Sequence, residues 1–329
     1  MQREHDRQLR PPDQPDSGRG PRHQALIWHD IGDWFEAAVE FIQDGIDRDE
    51  PTFVGVAAAT GVLLGEMLDG EPLVDFFDIT QLGRNPGRII AAMLDFAAIS
   101  KVGRLRYFSE PVWAGRSDAE KAEATRHEAL IDLALADISA TVLCVYDARR
   151  LDPLTLSCAE QTHPVIITGG QPRTSRRYAG RGIVPGQCDR PLPPPPASAT
   201  SLSYRSDLRA VRMRVKSCAS QAGLTDSRMA DLELAASEVA ANTLRHAHGA
   251  GRLRIWHTPD EIVCEVTDSG QIDDPLAGRR RPAHDGSGHG LWVVNQLCDL
   301  VELRSGPQGT TLRMHISRFD RAERPGPRA

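Results

Sequence analysis

From Gly169 to Thr200 the chain reads GGQPRTSRRYAGRGIVPGQCDRPLPPPPASAT, and no apolar periodicity survives across it. The run of four prolines, Pro193 to Pro196, favours polyproline II, a semi-rigid spacer and not a packed element. A chain of 329 residues is too long for one ordinary domain and long enough for two separate cores. The expected organisation is a disordered polar tail over 1–22, a domain over 23–168, the linker over 169–203, a second domain over 204–317 and a tail over 318–329. The first segment lacks the apolar stretch of a signal peptide. No apolar run approaches the roughly 20 residues of a membrane-spanning helix, so the expected location is the cytoplasm and no membrane partner is expected. A formal net charge of -6 argues against direct, bulk electrostatic binding of nucleic acid and leaves a protein or a small ligand as partner. The six cysteines (Cys144, Cys158, Cys188, Cys218, Cys264 and Cys298) are scattered, with no C-x-x-C pair, and read as reduced thiols.

Before the linker, apolar strand-like runs such as TFVGVAAA, RLRYFSE, TVLCVYD and HPVII alternate with helical stretches. That alternation predicts a parallel sheet with helices on both faces. The glycine in TFVGVAAATGVLLGEML lacks the G-K-[ST] needed to hold phosphates and magnesium, so it reads as close strand-to-helix packing. After the linker the order becomes two helices, two strands, a Gly-rich segment, a helix and two strands, which predicts an α/β sandwich.

The stretch 227–249, SRMADLELAASEVAANTLRHAHG, has Leu232, Ala235, Val239 and Leu244 near helical spacing and no proline. On such a helix Glu238 and Asn242 lie one turn apart on one face, and His246 extends the line. RLRIWH and EIVCEVTD read as a hairpin turning at Pro259 and Asp260, and the second strand ends in Asp268-Ser269-Gly270. DGSGHGLWVVNQLCD then places Gly286, Gly288 and Gly290 before a helix, where backbone N–H groups and the helix dipole favour anions. The final strand opens with Gly309, Thr310 and Thr311.

This series, E-x-x-x-N on a helix, D-x-G after a strand, G-x-G-x-G before a helix and G-T-T on a last strand, resembles the ATP-binding (GHKL, or Bergerat) fold shared by gyrase and the histidine kinases. SEVAANTLRHA and GLWVVNQLCD are most similar to the bacterial anti-sigma regulatory serine kinases, over 204–317. The resemblance implies ATP and Mg2+ as cofactors. It implies that Asn242 coordinates Mg2+, that Glu238 is the catalytic base, and that Asp268 accepts from the adenine amino group beside Gly270. It also implies that Gly286, Gly288, Gly290 and Leu291 form the phosphate loop, and that Thr310 or Thr311 closes the adenine end. Arg279, Arg280 and Arg281 precede that loop and either neutralise phosphate or form a solvated segment. The pattern departs from the family after Gly270, where Gln271 and Ile272 stand in place of a second nearby glycine.

The first domain resembles the MEDS sensory domain, a degenerate relative of the RecA-like ATPases, over 23–168. FSEPVWAGRS (Glu110, Trp113), ATRHEALIDLAL (His127, Glu128), LCVYDARRLDP (Cys144, Tyr146, Asp147) and THPVII (His163, Pro164) carry the match. It implies a three-layer α/β/α fold and a small-molecule effector, with His29, Glu110, Trp113 and His163 as polar candidates for its pocket.

Together these readings give a two-domain regulator, an ATP-dependent protein serine/threonine kinase acting as an anti-sigma factor in transcription regulation. Its expected partners are a sigma factor or an anti-anti-sigma antagonist, and a homodimer is open. One alternative is a binding module that holds ATP without turnover. The other is a sensor histidine kinase, against which the missing phosphoacceptor helix counts.

Overall fold

The computed structural model describes residues 20–68, 70–100, 103–247, 249–282 and 288–319. The chain folds as two units. Unit 1 comprises 1–81, 93–114 and 124–185, and unit 2 comprises 82–92, 115–123 and 186–329.

The strands of unit 1 are β1 (Pro21–Trp28), β2 (Thr52–Val56), β3 (Val74–Asp78), β4 (Leu105–Ser109), β5 (Ala140–Asp147), β6 (Val165–Thr168) and β7 (Gln171–Thr174). They form one sheet in the order β3-β2-β4-β5-β1-β6-β7, parallel except for β7, which runs antiparallel to β6. Between them run α1 (Ile31–Asp47), α2 (Ala58–Met67), the single turn α3 (Ile79–Leu82), α4 (Ile89–Ser100), α5 (Asp118–Ala134) and α6 (Pro153–Thr162). β2 and β4 are buried at every position, as a parallel sheet covered on both faces requires. Asp30 and Asp152 cap α1 and α6 through their carboxylates, each replacing a backbone partner the first turn lacks. Gly61 lies inside α2 and not ahead of it, and a Cβ there would meet Phe76 at 3.6 Å and Val56 at 3.7 Å, ordinary contact and not the close strand-to-helix packing its sequence context suggested. Leu26, Trp34, Ile42, Val54 and Phe108 centre one core cluster, where each large side chain contributes about 1.5–3 kcal/mol by leaving water.

Unit 2 contains β8 (Thr200–Tyr204), α7 (Leu208–Gln221), α8 (Asp226–His246), β9 (Gly251–His257), β10 (Glu261–Asp268), α9 (His289–Leu297), β11 (Leu300–Gly306) and β12 (Gly309–Ser317). Its sheet has the order β11-β12-β10-β9-β8, and every pairing is antiparallel. Alternate residues on one face (Leu253, Ile255, Ile262, Cys264, Val266, Leu312, Met314, Ile316) join Val211, Val215, Leu232 and Val239 of α7 and α8 in one core. The opposite face is a charged ladder. Glu265 stands directly across from Arg254 on β9 and from Arg313 on β12, at 3.2 and 2.7 Å.

The segment 169–203 differs from its expected role as an unpacked spacer. β7 pairs with β6 at its beginning and β8 pairs with β9 at its end. The carbonyls of Arg190 and Pro193 accept hydrogen bonds from Arg304 and Arg313. Polyproline backbone leaves its carbonyls unbonded; Arg313 uses that of Pro193, at the start of the proline run, and Arg304 that of Arg190 just before it.

His315 on β12 lies 3.2 Å from Glu261 and 3.0 Å from Glu302. Burial opposes its charge, but the hydrogen bonds that its two ring N–H groups donate to the carboxylates, together with their negative charge, outweigh burial and raise its pKa to about 9. The folded value exceeds the unfolded one of 6.5. The ion pairs therefore contribute fully below about pH 6.5, and that contribution is lost as pH rises through about 9. The linkage is worth ~3 kcal/mol. Denaturant unfolding of the wild type should show this loss between about pH 6 and about pH 10, and His315→Gln should flatten it. Parallel pH profiles for the two proteins would exclude the linkage.

Candidate functional site

In unit 2, Thr225 caps α8 with its hydroxyl, and the buried stripe Leu232, Ala235, Ala236, Val239, Ala240 and Thr243 turns the adjoining stripe, with Glu238 and Asn242, to the edge of the core. Both side chains are half-buried. Gly288 caps α9 with a φ of 80°, a conformation glycine adopts without strain. The next glycine, Gly290, lies directly against the α8 pair. A Cβ there would sit 2.9 Å from Asn242 Nδ2 and 3.0 Å from Glu238 Oε2. The N-terminus of α9 and the Glu/Asn face of α8 thus meet at a point where only backbone fits. Leu291 packs against the core. Gly286 lies outside the described residues.

Asp268 ends β10, in register with Gly251 on one side and Thr310 on the other. Its Oδ1 accepts from Gly270 N at 2.8 Å and its Oδ2 from Thr243 Oγ1 at 2.6 Å. Each oxygen keeps a second lone pair, so the carboxylate is oriented without being exhausted as an acceptor. A Cβ on Gly270 would lie 2.9 Å from Ala247 Cβ, and one on Gly251 2.5 Å from the Tyr204 hydroxyl.

The loop after Gly270 is tied down by hydroxyls in place of a second glycine. Ile272 N donates to Ser305 Oγ at 2.7 Å, Ser305 and Thr310 hydroxyls lie 2.8 Å apart, and Thr310 Oγ1 donates to Gly270 O at 2.8 Å. Since the Thr310 proton goes to Gly270 O, Ser305 is the donor between the two hydroxyls. Thr310 therefore acts through the loop, while Thr311 is its half-buried neighbour opposite Thr267.

The three arginines separate. Arg279 is 6% exposed and bonds Glu123 at 2.8 Å. Arg280 pairs with Asp274 at 2.7 Å, and Arg281 lies over the Trp292 ring. At the far end of α9, Arg88 donates to the Asn295 and Cys298 carbonyls at 2.7 and 2.6 Å, and Asn85 to the Asn295 carbonyl at 3.0 Å. These donors satisfy carbonyls that a helix end leaves unpaired.

Two family models account for most of the described chain. Residues 202–316 match the histidine kinase-like ATPase domain, and residues 22–164 match MEDS, the MEthanogen/methylotroph, DcmR sensory domain. The chain joins a MEDS domain to a histidine kinase-like ATPase domain. No curated protein matches it.

Among solved structures, the chain is similar to the RsbU and RsbW domains of a Mycobacterium tuberculosis protein, with 19% identity and a TM-score of 0.29 over 38% of this chain and 34% of that one. It is also similar to the SiaB–SiaC complex of Pseudomonas aeruginosa (13%, 0.29, 36% of this chain and 88% of that one). A third is the histidine kinase AdeS of Acinetobacter baumannii (14%, 0.22, 37% and 68%). The chain spans about a third of the first of these.

The chemistry of the ATPase domain's donors suits a magnesium nucleotide. The Asn242 amide supplies a hard oxygen, at present bonded by the exposed Arg245 at 3.1 Å. Gly290 brings the backbone entering α9 against the Glu238/Asn242 pair where any side chain would clash, and Asp268 is an acceptor aligned by two donors. Thr243, Tyr204 and Gly251 were not singled out by the sequence pattern, although Thr243 directly follows Asn242 and Gly251 opens the strand opposite Asp268.

Of the four effector candidates in the MEDS domain, His163 is fully buried and His29 is exposed. Glu110, at the end of β4, is pushed up to about 7 by burial and then by the Asp147 charge, against Arg150. Trp113 is half-buried. Among the described residues no helix is long and apolar enough to cross a membrane.

Proposed function

We propose that the ATPase domain binds ATP with Mg2+ between α8 and the glycine segment entering α9, and that it phosphorylates a serine of an antagonist protein in a sigma-factor pathway, or sequesters the sigma factor, under control of the MEDS domain. The observation that carries this reading is the meeting of Gly290 with Glu238 and Asn242, with Asp268 oriented by Thr243 and Gly270. In this reading Asn242 holds the ion through its amide oxygen. Asp268 accepts from the adenine amino group, and Gly288, Gly290 and Leu291, with Gly286 beyond the described residues, border the phosphates. Mg2+, when bound, neutralises phosphate charge. Glu238 accepts the proton of the attacking hydroxyl. Control by the MEDS domain draws support from Asn85 and Arg88, which fall within the MEDS-matched span and hold the C-terminal carbonyls of α9.

Titration calorimetry of the full chain with ATP and Mg2+ tests the site. The wild type should bind one nucleotide per chain, and Asn242→Ala should weaken the magnesium-dependent part by on the order of 100-fold, as loss of an ion's protein ligand does. No heat from the wild type would remove the site. One observation favours the second reading, a module that holds nucleotide without transfer: Arg279 is committed to Glu123 and so does not supply charge to a phosphate. Stable nucleotide-dependent capture of a partner with no phosphoserine would select it.

A further inference from the structure

The MEDS domain holds a buried cluster that the nucleotide site does not use. In the parallel register of β1 and β5, His23 stands opposite Val142 and Ala25 opposite Cys144. With a side-chain period of two, His23 and Cys144 project from the same face of the sheet. Glu128 comes from α5, and His163 caps the C-terminus of α6. Each of the four is 1% exposed or less. Their nitrogen, sulfur and carboxylate atoms all lie within 4.8 Å of one another. His163 Nε2 is 2.9 Å and His23 Nε2 3.4 Å from Glu128 Oε2, while Cys144 Sγ is 3.5 Å from His23 Nε2.

Cys144 and His23 are in hydrogen-bond geometry, but the short approaches of His163 and His23 to Glu128 are not. Both Glu128 oxygens and His163 Nε2 are buried without a hydrogen-bond partner. Buried carboxylates are almost always bonded, and leaving one bare costs several kcal/mol. The tautomer sharpens the point. His163 Nδ1 lies 2.8 Å from the Ala159 carbonyl, which can only accept, so Nδ1 carries the proton. In the neutral ring Nε2 is then a lone pair facing an anion, an arrangement that calls for a cation between them. Asp132 Oδ1 lies 3.3 Å from His23 Nδ1, at ion-pair distance but outside hydrogen-bond geometry, and Tyr178 donates to Asp132 Oδ2 at 2.9 Å. A carboxylate behind the distal nitrogen of an imidazole is the usual support of a metal-ligating histidine. His127 Nε2, 3.5 Å from Glu128 Oε1, borders the cluster.

We propose that His23, Glu128, Cys144 and His163 bind one divalent transition-metal ion of the zinc class in the core of the MEDS domain. Zinc bond lengths of about 2.0–2.3 Å imply ligand-to-ligand edges of roughly 3.3–3.8 Å in a tetrahedron; the 3.4 and 3.5 Å separations from His23 Nε2 fall in that range, and His163 Nε2, now 2.9 Å from Glu128 Oε2, must draw back slightly to admit the ion. Two imidazoles and a sulfur select a borderline or soft ion over Mg2+ or Ca2+. On binding, the Cys144 S–H bond breaks and its electron pair forms the metal–sulfur bond. The proton, with any held on His23 Nε2, leaves to solvent. Thiolate and carboxylate together balance the ion's two charges, and nothing is oxidised or reduced. The site rests on unit 1 alone and is independent of the nucleotide reading.

The test uses the full chain purified from zinc-supplemented cells. Elemental analysis should give one zinc per chain. After removal of the zinc with chelator, Co2+ should restore one equivalent with a sulfur-to-cobalt charge-transfer band. That band should vanish in Cys144→Ser and persist in Cys158→Ser. X-ray absorption of the wild-type zinc protein should find one sulfur at about 2.3 Å and three nitrogen or oxygen neighbours at about 2.0–2.2 Å, a readout that stands even if Cys144→Ser fails to fold. Substoichiometric metal in the wild type, a shell without sulfur, or a band that survives in folded Cys144→Ser would each overturn the proposal.

Discussion

Glu238→Gln should lower phosphoryl transfer to a serine substrate by about 10³-fold, the usual worth of a general base, while magnesium-nucleotide affinity changes by less than about threefold. The amide keeps the shape of the carboxylate 3.0 Å from the position of a Gly290 Cβ but cannot take a proton. The split between turnover and affinity is the informative part, since a merely structural Glu238 would move both or neither. Single-turnover transfer measured beside calorimetry on the same protein checks it. Unchanged transfer in Glu238→Gln would remove Glu238 from the chemistry and leave the domain as a nucleotide-holding module.

Gly309→Ala should destabilise the ATPase domain by about 3–5 kcal/mol and weaken nucleotide binding with it. Gly309 has a φ of +115°, and a Cβ there would fall 2.2 Å from the backbone oxygen of Asp268. Backbone cannot swing aside as a side-chain tip does, so the β10–β12 ladder at Asp268 and Thr310 must open. That is the strand end from which Asp268 is presented. Urea unfolding and nucleotide titration of the variant should move together. A loss of stability below about 1 kcal/mol would contradict the turn geometry.

Much of the ATPase fold was legible because its elements announce themselves locally. The helix expected over 227–249 is α8, Asp226–His246, and the turn expected at Pro259 and Asp260 joins β9 to β10. The relation of Glu238 to Asn242 follows from helical spacing alone, but their approach to Gly290 needs the tertiary fold. Long-range partners left no trace in the pattern. Arg279 sits in an arginine run that reads equally as solvated loop or phosphate clamp, and its partner Glu123 is far away in sequence. β3, VDFFD, carries a charge at each end of its Phe pair and has no apolar alternation to reveal it. The buried cluster escaped for a related reason. His23, Glu128, Cys144 and His163 come from four elements, so no spacing rule joins them, although three of the four fall within stretches that carry the MEDS resemblance.

The edge strand β8 bears on how the ATPase domain can be excised. Its five residues, Thr200–Tyr204, supply the partner for β9, and Tyr204 closes over Gly251 beside the Asp268 strand end. A fragment beginning at Tyr204 would strip β9 of its neighbour and expose a row of unpaired amides to other chains, the usual start of edge-to-edge association. A soluble fragment must keep the residues after the prolines, and the carbonyls of Arg190 and Pro193 that Arg304 and Arg313 use place the sensible cut still earlier.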